Sequence, residues 1–112
     1  MENKQKLKLP EGWELYDSEE KEWKGGKYFF NRYVHRESKS GIVYLSTITS
    51  EESKVFIIEG YGIGTIDPIT FKEIADIAPI QRYEIEREDL AEKVLIDLMN
   101  ENIYYWRKYS KD

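Results

Sequence analysis

The chain has 112 residues, 40% of them hydrophobic and 35% charged, with a formal net charge of −5. That length fits one domain of ordinary size, and 14% aromatic residues supply core material that disordered chains lack. The absence of cysteine and the single histidine exclude disulfides, thiolate chemistry and the usual zinc sites, so neither a metal nor another cofactor is expected.

No apolar run approaches the ~20 residues needed to span a bilayer, and the start MENKQKLKLP lacks the apolar centre of a secretory signal. The expectation is a cytoplasmic protein with no membrane partner. Abundant Lys, Glu and Ile beside only four Asn and two Gln point to a thermophilic or AT-rich source, such as a thermophilic archaeon or its virus. For a viral protein the compartment becomes the host cytoplasm. Charge runs from +1 over residues 1–40 to −4 over 41–80 and −2 over 81–112. A net acidic chain is a poor binder of duplex DNA, because that affinity comes from cations displacing condensed counterions.

Residues 1–8 read as a flexible segment and 9–112 as a single α+β domain. Gly12 to Asp17 alternates apolar and polar side chains and predicts a short first strand, with the charged SEEKEWKGG after it as a turn or loose hairpin. Lys27 to Arg36, KYFFNRYVHR, is the second strand. Its period of two sends Tyr28, Phe30 and Val34 to one face and Phe29 and Tyr33 to the other, so both faces carry aromatics. The β-branched run Gly41 to Thr49 predicts a third strand, and VFIIE, Val55 to Glu59, a central fourth. Short connections favour an antiparallel meander.

Asp67-Pro68 predicts the start of a short helix reaching about Ala78, because Asp caps free amides and Pro suits the first helical position. Ile80 to Ile85 predicts a fifth strand at an edge. From about Arg87 to Lys108, the stripe Leu90, Ala91, Val94, Leu95, Leu98, Met99, Ile103 and Trp106 predicts a long amphipathic helix packed on one sheet face. The expected architecture is therefore an antiparallel meander of four to five strands with a short helix and a long C-terminal helix.

Four features carry candidate chemistry. Gly60 to Gly64, GYGIG, could offer amides to a phosphate or simply form a tight turn. Glu59, Asp67, Glu84, Glu86 and Glu88 could build a small metal-dependent enzyme if folding brought them together. Around the second strand, Lys27, Tyr28, Phe29, Arg32, Tyr33, His35, Arg36 and Lys39 combine aromatics that stack on bases with cations that track phosphates. In the tail YYWRKY, Tyr104, Tyr105 and Tyr109 cannot all face the sheet, and such residues dominate binding energy at protein interfaces.

LPEGWE, Leu9 to Glu14, and GKYFFN, Gly26 to Asn31, resemble the first two strands of a WW domain, with Trp13 in the place of its first tryptophan. The resemblance covers at most the first third of the chain and implies a proline-rich peptide ligand. Neither a second tryptophan nor a closing proline follows at the matching place. The favoured expectation is a small non-catalytic accessory or regulatory protein that binds another protein or a second copy of itself. Its contact surface is drawn from Tyr28, Phe29, Arg32, Tyr33, His35, Arg36, Tyr104, Tyr105 and Tyr109, with no catalytic residue assigned. Single-stranded RNA or DNA is the alternative partner, and a small metal-dependent enzyme the third reading.

Overall fold

A computed structural model describes residues 7–49, 54–72 and 81–109 of the chain. Five strands, β1 (Trp13–Trp23), β2 (Gly26–His35), β3 (Ser40–Thr49), β4 (Lys54–Tyr61) and β5 (Gln81–Ile85), precede one helix, α1 (Glu88–Tyr109). The strands form one antiparallel sheet in the order β1-β2-β3-β4-β5. This is the α+β meander that the alternating pattern predicts, with β5 at an edge.

The largest departure is in β1, which runs on through the charged stretch expected to be a turn. Only Lys24 and Gly25 separate it from β2, and its residues pair one for one from Asp17↔Arg32 to Trp23↔Gly26. Cross-strand charge pairs hold the two together: Arg32 reaches Asp17 at 2.8 Å, and Lys27 reaches Glu20 at 3.4 Å. The register slips between Leu15 and Asp17, leaving Tyr16 as the extra residue of a bulge. Its ring lies 5.2 Å from that of Phe71, and its hydroxyl donates to Ile69 O at 2.8 Å.

Register decides which side chains share a face. Tyr33 stands opposite Ile42, and Tyr44 opposite Ile58, so these line the side that α1 covers. With Trp13 and Phe56 they pack on Ala91, Leu95, Leu98, Met99 and Ile103 of α1. Each fully buried aliphatic side chain of this kind contributes ~1.5–3 kcal/mol. The acidic start of α1, Glu88 and Asp89, and its basic end, Arg107 and Lys108, complement the helix dipole. At the far end of the sheet the Trp13 indole N–H donates to Met99 O at 3.1 Å, tying β1 to the helix. No helix among the described residues is long and apolar enough to cross a membrane.

On the opposite face the chain after β4 folds back over one end of the sheet. Ile66 is buried, and a side chain at Gly41 would meet the Phe71 ring at 2.9 Å and Ile66 at 3.1 Å. The helix expected from Pro68 does not begin there. Asp67 accepts from Ile69 N–H at 2.8 Å, as a cap would, but Phe71 N–H bonds to Asp67 O and the Asp67 amide to Lys72 O, closing a turn. Phe71 has a φ of 56°, in the left-handed region that a right-handed helix does not use. The remainder of that expected helix, residues 73–80, lies outside the described residues.

Tyr44 carries an energetic liability within this core. Among the described residues its hydroxyl is buried without a hydrogen-bond partner, a cost of about 1–3 kcal/mol for a desolvated polar group. Tyr44→Phe removes only that hydroxyl, so urea unfolding should show a variant at least as stable as the parent, by up to ~1 kcal/mol. Destabilisation by a similar amount would mean that the hydroxyl is bonded in solution.

Candidate functional site

The expected surface on β2 divides between the interior and two faces. Tyr33 and His35, both expected on the contact surface, are each only 3% exposed. Both point to the helix side: Tyr33 lies in the main core, and the His35 ring sits 5.6 Å from Trp13 and 5.1 Å from Trp106. Burial pushes the Tyr33 hydroxyl up to about 12, with Glu92 adding to the shift. Tyr28 and Phe30 lie on the face that α1 leaves uncovered, with ring centres 5.1 Å apart in an edge-on arrangement. They are half-buried beside Val43, Leu45, Val55 and Ile57. Phe29 is on the helix side, near the hairpin end, with the Lys27 ammonium 5.5 Å from its ring centre.

The cations of β2 and the turn after it are largely matched by carboxylates of β1. Arg32 bonds Asp17 at 2.8 Å, reaches Glu19 at 3.5 Å and lies over the Phe30 ring, while Arg36 bonds Glu14 at 2.6 Å. The Asp17 hydrogen bond raises the Arg32 pKa against the opposing effect of burial. What reads in sequence as an aromatic and basic strand is, in space, an aromatic strand with its charge neutralised by the neighbour. The sequence did not show this because the acidic half of β1 reads as a turn or loose hairpin, with no paired strand assigned to it.

The glycine segment uses its amides internally. Gly64 N–H donates to Ser38 O at 2.8 Å, and Thr65 and Ile66 N–H both donate to Lys39 O at 3.0 Å. Gly64 has a φ of 78°, which explains glycine there as a turn requirement. Those three amides are directed at the Arg36–Lys39 turn and present no phosphate cradle. The carboxylates do not converge either. Glu59 and Glu84 both bond Arg82, Asp67 caps its own turn, and no cluster of three metal-ligating side chains occurs among the described residues.

A buried polar chain around His35 had no signal in the sequence. Ser38 N–H donates to His35 Nδ1 at 3.3 Å, while Ser38 Oγ lies 2.8 Å both from Nδ1 and from Ser40 Oγ. An Nδ1 that accepts from a backbone amide places the proton of the neutral ring on Nε2. That edge abuts Gly12, where φ is 88° and an added side chain would sit 2.6 Å from Nε2. Both serines are buried, so the chain is a structural fastening between the turn and the two tryptophans rather than an exposed nucleophile.

The expected C-terminal residues do come together at the surface. Tyr104, Tyr105 and Tyr109 are 57%, 40% and 70% exposed. The Tyr104 and Tyr105 rings meet edge-on at 5.1 Å, Tyr105 and Tyr109 stack at 6.1 Å, and the Lys108 ammonium lies over Tyr104 and Tyr109. Beside them is an open depression of about 590 Å3 lined by Pro10, Glu11, Asn100, Ile103, Tyr104, Arg107 and Lys108. Pro10 and Glu11 could not have been assigned to it from sequence, because only the return of β1 to the helix end brings them there.

No family model matches the chain, and comparison with curated proteins and with solved structures gave no significant match. The WW resemblance therefore gains no support, and Trp13 belongs to the core of a five-stranded sheet.

His35 should govern part of the acid sensitivity of this end of the molecule. Burial pushes its pKa below the ordinary value, with Arg107 adding to the depression and Glu37 opposing it. Below about pH 6.5 the unfolded chain takes up a proton that the native ring refuses, so the stability present above that pH is lost as pH falls toward the depressed native value. His35→Gln should flatten the stability profile between about pH 7 and pH 5, measured by urea unfolding at each pH. Parallel profiles for the two proteins would contradict this.

Proposed function

We propose that the protein is a non-catalytic accessory or regulatory protein that binds another protein through the tyrosine-rich end of α1. The observation that carries this reading is the interlocked group Tyr104, Tyr105 and Tyr109, exposed yet held by ring contacts at 5.1 and 6.1 Å. Rings already fixed against one another lose little side-chain freedom when a partner covers them. Tyrosine and arginine are also the side chains on which interface energy concentrates, and Arg107 lines the adjoining depression.

The alternative, single-stranded nucleic acid on β2, has less to support it. Its aromatics Tyr28 and Phe30 are on the open face, but Arg32 is committed to Asp17 and Glu19, Lys27 to Glu20 and Arg36 to Glu14. Backbone-tracking grooves need cations free to meet phosphate.

The test is comparative capture from the native host. A partner recovered with the parent protein should fall at least ~10-fold with Tyr104→Ser/Tyr109→Ser, a loss of ~1.4 kcal/mol or more, while the thermal melt is unchanged. Equal recovery would overturn the assignment of the surface. Fluorescence titration with mixed-sequence single-stranded RNA should show no binding even at low salt; tight, salt-sensitive binding would favour the alternative.

A further inference from the structure

The outer edge of β5 has no strand beside it among the described residues, and its sequence is self-complementary about its central residue. We propose that a second copy of this chain pairs there, strand to strand, to give a twofold dimer with a continuous ten-stranded sheet. An antiparallel pair with its axis at Tyr83 sets Arg82 opposite Glu84 of the second copy and Glu84 opposite its Arg82. Gln81 then faces Ile85.

The side chains are already disposed for that register. Arg82 bonds Glu84 at 2.7 Å and Glu59 at 3.2 Å, so on one face each guanidinium is held beside a carboxylate that the second copy's guanidinium would share. The pairing closes an alternating ring of two Arg82 and two Glu84 side chains across the axis. On the helix side, Tyr83 meets its own counterpart. Tyr83 is 40% exposed, and Leu90, in the first turn of α1 after the Glu86-Arg87 link, is 43% exposed. Both are apolar side chains that a monomer leaves exposed to water.

The other edge strand shows the contrast. Self-pairing of β1 about Ser18 would oppose Asp17 to Glu19 and Glu14 to Glu22, all like charges, and the bulge at Tyr16 interrupts the ladder. One edge of the sheet is thus guarded by acidic charge, whereas the other carries a pattern that matches itself. A five-residue strand with two flanking apolar side chains falls below the ~800 Å2 per partner of a standard interface, so the dimer is of the weak class. This surface is distinct from the tyrosine end of α1, and the two assignments fail separately.

Sedimentation velocity of the full chain over a concentration series tests the seam, with circular dichroism as the check on folding. The parent protein should pass from monomer to dimer. Arg82→Glu should weaken association by at least ~10-fold through like-charge opposition, and Arg82→Glu/Glu84→Arg should restore it, because the swapped pattern is again self-complementary. Tyr104→Ser/Tyr109→Ser should dimerise like the parent. A parent protein monomeric at ~1 mM would overturn the proposal, as would a dimer that survives Arg82→Glu, or one lost only in the tyrosine variant.

Discussion

One helix has to cover a five-stranded sheet, and it is too narrow to do so. The 22 residues of α1 span ~33 Å along a cylinder ~10 Å wide, against a sheet ~24 Å across its strands. The helix therefore shields a stripe, starting beside β5, passing Trp13 of β1, whose indole N–H donates to Met99 O at mid-helix, and bringing Trp106 near its end against His35 of β2. Inside that stripe lie the fully buried Ile42, Ile58, Leu95 and Met99. Outside it the chain uses other devices: the β4–β5 connection lays Ile66 and Phe71 over Gly41, and the hairpin end of β1 and β2 is covered with paired charges.

The same constraint explains how much of the fold is legible in the sequence. Strands β2 to β4 and the helix α1 were legible because each has a face that must be buried, and burial imposes a period of two or 3.6 residues. The second half of β1 was not, because Ser18 to Glu22 bury nothing and are held across the hairpin by Asn31, Arg32 and Lys27, partners that lie on the next strand. Alternation in KYFFNRYVHR separated Tyr28 and Phe30 from Phe29 and Tyr33 but could not say which pair met the helix. That depends on register with Ile42 and Ile58, a long-range fact. The exposed tyrosines of α1 were legible from helical geometry alone, since residues at 104, 105 and 109 cannot share one face with Ile103. His35 defeated the reading because its partners, Gly12, Trp106 and the Ser38-Ser40 pair, meet only when β1, α1 and the β2–β3 turn converge.

The surface that such a scaffold leaves unshielded lies at its margins. The helix leaves apolar surface at both of its ends: Leu90 near β5 at the first turn, and the tyrosine group at the last. A twofold pairing through β5 would carry two tyrosine ends on one particle, and two sites on one particle gain avidity for a partner that presents repeated copies of its own surface. Charge has the complementary role. Carboxylates of β1 neutralise the cations of β2 and of the turn after it, Arg32 on Asp17 and Arg36 on Glu14.

The central claim is the division of aromatic side chains between the helix-covered stripe and the exposed helix end. Hydroxyl-radical footprinting of the native protein, read residue by residue by mass spectrometry, tests it most directly. Tyr33 and Tyr44 should be protected and Tyr104 and Tyr109 readily oxidised, with the contrast abolished in urea. Comparable oxidation of all four in the native protein would mean that α1 does not cover this face of the sheet.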